Sequence, residues 1–488
     1  MKRDDFGLYR PYGLHIAGQW RPAQDGAVRE VIDPASEEVI GWIPAAGAAD
    51  LDAALAAAQA AFQAWRRTSP WERAALLRRT AQLVRERTPA IAELMSAETG
   101  KPLLQARGEL SDAADQFDWY AGETQRIYGH TMEARVPDVR MQVRMEPVGV
   151  VAAFSAWNFP ALLPARKIAA ALGAGCAVVV KPASEAAGCC MALVQALQDA
   201  GAPAGLVNLV TGDSSFISEH LVRSPIVAKI SLTGSTGVGR RLLALAAEGV
   251  KRVSMELGGH APVLVFEDAD VEHAAEQCAR FKYRNCGQVC ASPSRFYVHR
   301  SLYARFCERF AAVAGSLRVG PGLAEGTEVG PMANRRGLAN AHRLIDDALA
   351  QGARLIAGGR RPEGLPGDKG YYLAPTVLAD VPPSARIMRE EPFGPVAPLA
   401  PFDGFDEAIA LANSTPYGLA SYLFSRSLKT ATMASEAIEA GMVGVNDLAI
   451  ASAEMPFGGV KESGMGREGG ALGIRDYLEA KYIRTRLL

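Results

Sequence analysis

The chain has 488 residues, which is too many for one ordinary hydrophobic core and indicates roughly two to four domains. Hydrophobic residues make up 49% of the sequence and charged residues 22%, as in ordinary globular proteins, and the formal net charge is -1. A balanced charge provides no broad attraction to nucleic acid or to anionic lipid, so neither is expected as a partner.

The cysteines and histidines exclude two further classes of protein. The seven cysteines are an odd number, are scattered, and include no Cys-x-x-Cys pair, and the seven histidines form no cluster. A disulfide scaffold and a metal site are therefore not expected. No apolar segment follows the charged N-terminus, and the run over residues 168–180 is too short to cross a bilayer. We expect a cytoplasmic protein without a membrane segment.

The first 125 residues are predicted to be mostly helical. Residues 51–65 are rich in alanine, residues 72–98 carry aliphatic side chains at helical spacing, and a third helical pattern covers residues 103–120. From about residue 129 the character changes. Residues 140–146 alternate between polar and apolar side chains, which predicts a half-exposed strand.

Short apolar runs then predict a parallel sheet. Helix-length segments separate the earlier runs, and this alternation is typical of strands covered on both faces. A second α/β series begins after about Gly258, with predicted helices and two further strands, and the tail 476–488 alternates like an edge strand. The apolar runs are residues 148–154, 177–180, 206–210, 227–232 and 262–266, the later helices are 271–281, 302–317 and 338–351, and the later strands are 295–299 and 418–424.

Three residues stand out as candidates for chemistry. Cys290 follows a helical segment, and a thiol is a strong nucleophile, although a cysteine in such a place often only packs. Glu256 ends an apolar strand, where a raised pKa suits a general base, but it could equally cap a helix or loop. Asn158 follows the first sheet strand, where its amide could stabilise an oxyanion or simply close a turn.

Two further segments indicate a bound phosphate or cofactor. The loop 234–239, Gly-Ser-Thr-Gly-Val-Gly, follows a strand and opens a helix, which suits a phosphate, although its spacing differs from the dinucleotide fingerprint. Lys181 also ends an apolar strand. Ligands collect at the carboxyl ends of parallel strands, so we expect Asn158, Lys181, Gly234 and Glu256 to share one edge of the sheet.

Taken together, these segments resemble the aldehyde dehydrogenase superfamily from about residue 13 to residue 482. The matching motifs occur in the family's order and at its distances. They are Pro147-Val-Gly-Val, Trp157-Asn-Phe-Pro, Lys181-Pro-Ala, Gly234-Ser-Thr-Gly-Val-Gly, Glu256-Leu-Gly-Gly, Gly287-Gln-Val-Cys, Glu390-Glu-Pro-Phe-Gly-Pro and Pro456-Phe-Gly-Gly.

The resemblance implies an α/β fold of three parts and an NADP- or NAD-dependent homodimer or homotetramer. A Rossmann-type cofactor domain would comprise residues 1–126 and 148–258. An α/β catalytic domain would cover residues 259–457. A β oligomerisation arm would join residues 127–147 to the C-terminal tail, residues 458–488.

The resemblance also implies the roles of individual residues. Cys290 would be the nucleophile, Glu256 the general base and Asn158 the oxyanion donor, and Glu468 would assist proton relay. Lys181 and Glu391 would hold the cofactor riboses, Ser235 a phosphate, and Phe393 would pack near the nicotinamide ribose. The full cofactor-binding set is Trp157, Lys181, Ser184, Gly234, Ser235, Gly239, Leu257, Glu391 and Phe393.

Within the superfamily, the chain is most similar to succinate-semialdehyde dehydrogenases. Arg166, Arg284 and Ser452 stand where that group binds the distal carboxylate of its substrate, although either arginine could cap a helix or pair with a surface acid. Other anionic aldehydes, namely 2-oxoglutarate semialdehyde, glutarate semialdehyde or a sulfonated aldehyde, remain alternatives. A cofactor-independent thiol hydrolase and a non-catalytic member of the fold are competing classes.

Cofactor preference depends on the residue three positions after Lys181. NAD-preferring relatives usually have a glutamate there, whereas this chain has Ser184, followed by Glu185. A hydroxyl accommodates a 2′-phosphate that a carboxylate would repel. On an extended strand end Glu185 would face away from the pocket. We therefore expect NADP to be used in preference to NAD, with use of NAD left open.

Overall fold

The computed structural model describes residue 9, residues 12–365 and residues 367–487. Within them, thirteen α-helices, α1 to α13 in chain order, are Ala48–Trp65, Pro70–Thr99, Leu103–Thr124, Leu162–Ala174, Gly188–Asp199, Ser214–Arg223, Thr236–Glu248, Val271–Tyr283, Arg300–Ser316, Arg335–Ala350, Phe405–Ala412, Leu428–Ala437 and Gly470–Gly473.

The same described residues form twenty strands, numbered β1 to β20. They are Leu14–Ile16, Gln19–Arg21, Val28–Ile32, Val39–Pro44, His130–Glu133, Val139–Pro147, Val150–Phe154, Ala177–Lys181, Val207–Leu209, Val227–Thr233, Arg252–Glu256, Ala261–Val265, Pro293–His299, Arg354–Ala357, Thr376–Ala379, Val396–Phe402, Ala420–Phe424, Met442–Val445, Gly464–Met465 and Leu478–Arg486.

The three predicted N-terminal helices are confirmed as α1, α2 and α3. Helix α2 begins with a capping box between Ser69 and Glu72 and ends at Gly100, whose left-handed φ of 73° stops the helix. Four short strands, β1 to β4, precede these helices and were not predicted. They have only three to six residues each, too few for an alternating pattern to show.

The first sheet has eight strands in the order β19-β11-β10-β7-β8-β9-β1-β2. Strands β11, β10, β7, β8 and β9 are parallel to one another. Every residue of β7 and of β8 is buried, as expected for strands covered on both faces. The chain runs outward from β7 through β8 and β9 and then returns to the other side of β7 with β10. This reversal opens a crevice at the carboxyl ends of β7 and β10.

The second sheet has seven strands in the order β14-β15-β16-β13-β12-β17-β18, with only β14 antiparallel to its neighbour. The apolar run 262–266 is among the runs that predict a parallel sheet, and it also lies after Gly258, where a second α/β series is predicted to begin. The run forms most of β12, whose neighbours are β13 and β17 of the second sheet. A buried apolar strand has the same composition in either sheet, and only its distant pairing partners show where it belongs.

A third, three-stranded antiparallel sheet, which we call the arm, has the order β20-β6-β5. The alternating segment 140–146 is confirmed as part of β6, and the tail predicted at 476–488 forms β20 over residues 478–486, paired with β6 along nine residues. Leu488 lies outside the described residues. Separate hydrophobic cores lie around the first sheet and the second sheet. No helix in the described part of the chain is both long and apolar enough to cross a membrane.

Candidate active site

Cys290 lies in a tight loop between α8 and β13. Three consecutive residues of this loop, Asn285, Cys286 and Gly287, have left-handed backbone with φ of 50°, 55° and 71°. A Cβ atom at Gly287 would collide with the carbonyl group of Gly394, so only glycine fits there. The turn leaves Cys290 half-buried at the wall of a cavity, and strained backbone of this kind is typical of functional sites.

The two cysteines of this loop differ in their surroundings. Cys286 is fully enclosed, and burial raises the pKa of its thiol to about 12. Cys290 faces the cavity, and both burial and the neighbouring Glu256 carboxylate raise the pKa of its thiol. The Cys290 thiol is therefore held protonated beside a carboxylate that can accept its proton.

Glu256 lies at the carboxyl end of β11 with only 3% of its surface exposed. Neither carboxylate oxygen has a hydrogen-bond partner among the described residues. Burial, followed by the negative charge of Glu468, raises the pKa of Glu256. An unpartnered carboxylate with a raised pKa, next to a thiol, has the properties of a general base.

A buried ion pair lies behind Glu256. Lys167, on α4, pairs with Glu468 and also donates a hydrogen bond of 2.7 Å to the hydroxyl of Thr233. Lys167 is a site residue that was not predicted from the sequence. The signal was present, because Arg166 and Lys167 are the two charged residues of a helix that is otherwise apolar and is buried along its whole length. Such charges need a partner or a task.

Asn158 lies in the loop between β7 and α4 and is 3% exposed. Its side-chain amide donates a hydrogen bond of 3.1 Å to the carbonyl of Gln288, two residues before Cys290. The amide therefore points at the loop that carries the thiol. In this position it can donate to an oxygen atom that develops negative charge beside Cys290.

A cavity of about 560 Å³ connects Cys290 with the three predicted substrate-binding residues, Arg166, Arg284 and Ser452. Much of its wall is aromatic or aliphatic. The wall includes Trp119, Phe159, Leu162, Leu163, Phe281, Val289, Tyr422, Leu448, Ile450 and Phe457. Four carboxylates, Asp112, Asp115, Asp118 and Glu454, line the same cavity together with the two arginines. An apolar cavity with polar groups at several points is typical of a small-molecule site.

The two arginines of this cavity are in different environments. Arg166 is only 4% exposed, its guanidinium lies 4.4 Å from the ring centroid of Phe457, and no ion pair or hydrogen bond reaches it from the described residues. Its charge is close enough to lower the pKa of both Cys290 and Glu256. Arg284 is exposed and lies over the rings of Phe159 and Phe281. Arg166 thus provides an unused positive charge near the reactive thiol.

The four residues expected at one sheet edge do lie together. Lys181 ends β8 opposite Phe154 of β7, Glu256 ends β11 opposite Thr233 of β10, and Asn158 and Gly234 follow β7 and β10. All four therefore border the crevice at the carboxyl ends of the parallel strands. The expectation drawn from the strand order is confirmed.

The glycine-rich loop has the geometry of an anion site. Ser235 caps the N-terminus of α7, a helix of thirteen residues, by accepting a hydrogen bond from Val238 N–H. A Cβ atom at Gly239 would lie 2.6 Å from the side chain of Leu257, so glycine is needed for this helix to pack against the strand end. Gly234, in turn, donates its N–H to the carbonyl of Glu256. The loop and its helix N-terminus suit a phosphate group.

The remaining cofactor candidates border the same crevice. Trp157 and Phe393 meet edge to face, with ring centroids 5.6 Å apart. Glu391 accepts one long hydrogen bond of 3.5 Å from Gly259 N–H, and burial raises the pKa of its carboxyl to about 8. A buried carboxylate with so little protein bonding fits ribose hydroxyl groups. The residues present therefore fit a nicotinamide dinucleotide.

The predicted orientation of Glu185, at the expected adenine end of the crevice, was based on an extended strand end, and that assumption was wrong. Residues 184–186 form a 3₁₀ turn, not an extended strand end, so strict alternation does not decide where Glu185 points. The Ser184 hydroxyl donates 3.1 Å to the carbonyl of Gly212, and Arg29 donates 3.2 Å to the same carbonyl. Lys181 donates 2.6 Å to the hydroxyl of Ser214, and burial lowers its pKa to about 8.

A profile of the aldehyde dehydrogenase family matches residues 20–483. The chain belongs to the aldehyde dehydrogenase family. It is 43% identical to a glutarate-semialdehyde dehydrogenase from Pseudomonas putida and 43% identical to the Escherichia coli succinate-semialdehyde dehydrogenase (NADP+) GabD, each over 99% of both chains. A crystal structure of succinate-semialdehyde dehydrogenase from Burkholderia pseudomallei superposes with a TM-score of 0.96, 43% identity and 98% coverage of both chains.

The protein is thus an oxidoreductase that acts on aldehydes, in a family that uses NAD or NADP. The competing class, a thiol hydrolase, would need a histidine beside Cys290, and none lines the cavity among the described residues. His260 lies elsewhere. Its ring nitrogens bond to the hydroxyl of Ser294 and the carbonyl of Ile387, which ties the segment before Glu391 to the second sheet.

Proposed function

We propose that this aldehyde dehydrogenase oxidises a small anionic aldehyde, with succinate semialdehyde as the first candidate. The observation that carries the proposal is Arg166, a buried guanidinium without a counter-ion in the described structure, in the same cavity as Cys290. A buried charge is costly unless something pairs with it, and a substrate carboxylate would supply that partner. Arg284 and Ser452 line the same cavity and can complete the anion site.

The size of the substrate follows from the same geometry. Arg166 and Cys290 line one cavity of about 560 Å³, so a small substrate can contact both. We propose a short spacer between the aldehyde carbon at Cys290 and the carboxylate at Arg166. The relatives that carry the names glutarate- and succinate-semialdehyde dehydrogenase support a spacer of this length. Glutarate semialdehyde, 2-oxoglutarate semialdehyde and a sulfonated aldehyde of similar length are the alternatives.

The first half of the proposed reaction is attack by Cys290. The thiol proton passes to Glu256, and the sulfur forms a bond to the aldehyde carbon while the carbonyl oxygen becomes an oxyanion. The amide of Asn158 donates to that oxyanion, and losing one such donor costs on the order of 10²–10³ in rate. When the oxyanion collapses, hydride leaves the carbon and a thioester on Cys290 remains. The nicotinamide cofactor, when bound, accepts that hydride.

The second half is hydrolysis of the thioester. Glu256 takes a proton from water, the water oxygen attacks the thioester carbon, and the carbon–sulfur bond breaks to release the carboxylic acid. Glu468 and Lys167 lie behind Glu256 and can carry the proton away from it. This arrangement lets one carboxylate act in both halves.

We propose that NADP is preferred over NAD. Ser184 occupies the position at which a glutamate would repel a 2′-phosphate. Lys181 and Arg29 supply positive charge near Ser184, since Arg29 and Ser184 donate to the same carbonyl of Gly212. Burial lowers the pKa of Lys181, whereas the negative charges of Glu185 and Asp213 raise it, and these two carboxylates weaken the positive field. The NADP+ in the name of the E. coli relative supports the preference.

We propose the division into parts that the sequence indicated. Residues 1–126 and 148–258 would bind the cofactor, residues 259–457 would supply Cys290, and residues 127–147 with 458–488 would join subunits into a homodimer or homotetramer. The arm supports this role, because β5 and β20 form its two edges and carry the exposed apolar side chains of Met132 and Tyr482.

Pre-steady-state kinetics with succinate semialdehyde and NADP tests the proposed chemistry. Cys290→Ala should abolish formation of reduced cofactor while leaving cofactor binding intact. Glu256→Gln removes the base from both halves, but the Cys290 thiol at the cavity wall can still lose its proton to water, whereas hydrolysis depends on the base that activates the attacking water. In excess substrate we therefore expect a burst of reduced cofactor that forms more slowly than in wild type, followed by turnover that is slowed further. Full steady-state activity in either variant would contradict the assignment, and a cofactor titration of Cys290→Ala by fluorescence shows that its site is still formed.

A further inference from the structure

The oxyanion donor Asn158 is held in place through its main chain, by residues far away in sequence. Its carbonyl oxygen accepts two hydrogen bonds, one of 2.8 Å from Lys101 Nζ and one of 3.0 Å from the side-chain amide of Asn285. The side-chain amide of Asn158 donates to the carbonyl of Gln288 in the Cys290 loop. The main-chain position of Asn158 therefore sets where its amide can reach.

Lys101 and Glu109 form an ion pair inside the protein, and each side chain is only 1% exposed. The left-handed Gly100 stops α2 and directs the chain toward α3, which places Lys101 beneath the Asn158 loop. The Lys101 ammonium also lies 4.2 Å from the ring centroid of Phe159. The pair is thus in direct contact with the loop and is screened from solvent.

Glu109 holds the other end of the same loop. One of its oxygens accepts hydrogen bonds from the main-chain N–H groups of Ala161 at 2.8 Å and Leu162 at 3.1 Å, where α4 begins. A carboxylate at a helix N-terminus is stabilised by the free N–H groups and the helix dipole. Lys101 and Glu109 therefore fix the loop from Asn158 to the first residue of α4.

The same face of α3 also holds the nucleophile loop. Gln105 lies one helical turn before Glu109 and accepts a hydrogen bond of 2.8 Å from the main-chain N–H of Asn285. Asn285 in turn donates to the carbonyl of Asn158. Helix α3 therefore holds both the loop of the oxyanion donor and the Cys290 loop in fixed positions relative to each other.

We propose that Lys101 and Glu109 are positioning residues for the oxyanion donor, acting on catalysis through the main chain of Asn158 and not through the substrate. The inference rests on the proposed role of Asn158. Displacing a catalytic group by about 1 Å can cost about 100-fold in rate. We therefore expect loss of the pair to slow hydride transfer by about 10- to 100-fold, part of what loss of Asn158 itself costs.

The test must avoid leaving one buried charge without its partner, which is strongly destabilising. The variant Lys101→Met with Glu109→Gln removes both charges together, and the glutamine oxygen can still accept from the start of α4. Glu98→Gln is a matched control. Glu98 is also a buried carboxylate that accepts a main-chain N–H at the start of a helix, that of Gly188, but it does not contact the Asn158 loop.

A double-mutant cycle separates positioning from a general structural effect. Single-turnover formation of reduced cofactor is measured for the pair variant in the wild-type and the Asn158→Ala backgrounds, with Cys290 alkylation by iodoacetamide and cofactor affinity as parallel readouts. We expect the 10- to 100-fold loss in the wild-type background, less than about two-fold loss in the Asn158→Ala background, and unchanged alkylation and affinity. Glu98→Gln should retain the wild-type rate.

Three results would overturn the inference. An equal loss in both backgrounds would mean that the pair supports the site in general and not Asn158 in particular. No loss in the wild-type background would mean that the loop keeps its position without the pair. If Asn158→Ala alone leaves hydride transfer unchanged, the inference fails together with the proposed role of Asn158, while the Glu256→Gln burst experiment still tests the remaining chemistry separately.

Discussion

Replacing Arg166 with methionine should separate substrate binding from fold stability. Arg166 is 4% exposed and has no counter-ion in the described structure, so its role as an anion partner is not masked by a protein salt bridge. A charge-assisted hydrogen bond contributes about 1.5–3 kcal/mol. We therefore expect Arg166→Met to lower kcat/KM for succinate semialdehyde by about 10- to 150-fold.

We expect a smaller loss of kcat/KM when Arg284 is replaced. This side chain is exposed, and solvent-screened ion pairs contribute only about 0–1 kcal/mol. Arg284→Met should thus reduce kcat/KM by about five-fold at most. The sequence suggested equal roles for the two arginines, whereas burial ranks Arg166 first. Butanal, which has the same chain length without a carboxylate, should be oxidised equally well by wild type and Arg284→Met. Arg166→Met should oxidise butanal only slightly more slowly than wild type, because removing the Arg166 charge raises the pKa of the Cys290 thiol.

Stability gives an independent readout of the same variant. An unpaired buried guanidinium loses hydration without a compensating ion, and methionine keeps the apolar packing against Phe457. The melting temperature of Arg166→Met should therefore be equal to or higher than that of wild type in a thermal-shift assay. A lower melting temperature together with equal losses for succinate semialdehyde and butanal would refute the reasoning and make Arg166 a structural residue.

Two further predictions concern the cofactor. Ser184→Glu places a carboxylate beside the proposed 2′-phosphate site. Like-charge repulsion of about 1–3 kcal/mol should raise the Kd for NADP by about 10- to 100-fold in a fluorescence titration, while the Kd for NAD stays nearly unchanged. An equal rise in Kd for both cofactors would contradict the proposed phosphate site. The preference for NADP over NAD should also decrease as the pH rises. Burial lowers the pKa of Lys181 to about 8, so its ammonium group loses its charge as the pH rises through that value. Burial raises the pKa of the Glu391 carboxyl to about 8, so this group ionises over the same pH range. The ribose assigned to Glu391 is common to both cofactors, so its ionisation cancels in the ratio of the Kd for NAD to the Kd for NADP. If this ratio stays constant from about pH 6 to about pH 10, Lys181 does not bind the 2′-phosphate.

Much of this protein could be predicted from its sequence because the relevant signals are local. The helices α1 to α3 follow from the spacing of apolar residues, and β7, β8 and β10 from continuous apolar runs. Their order along the chain predicts a parallel sheet, and parallel strands place their carboxyl ends together. Asn158, Lys181, Gly234 and Glu256 could therefore be assigned to one edge without coordinates, and the motif around Cys290 added the nucleophile.

Other features depend on residues that meet only in the folded chain. The strand β12 has the same composition as the strands of the first sheet, and its neighbours β13 and β17 follow only from the folded chain. The 3₁₀ turn at Ser184 arises from its surroundings and contradicted a simple alternation rule.

The tertiary structure alone decided the environment of each charge. Arg166 and Arg284 look equivalent in the sequence, yet one is buried without a partner and the other is exposed, because burial depends on which elements pack over each position. Lys101 and Glu109 show the same effect, since their contacts with the loop from Asn158 to Leu162 span more than fifty residues of chain. The sequence determined which reactive groups the protein has and on which sheet edge they lie. Their protonation, pairing and alignment were fixed by long-range packing, because the free energy of a charge depends on its distance from water and from other charges.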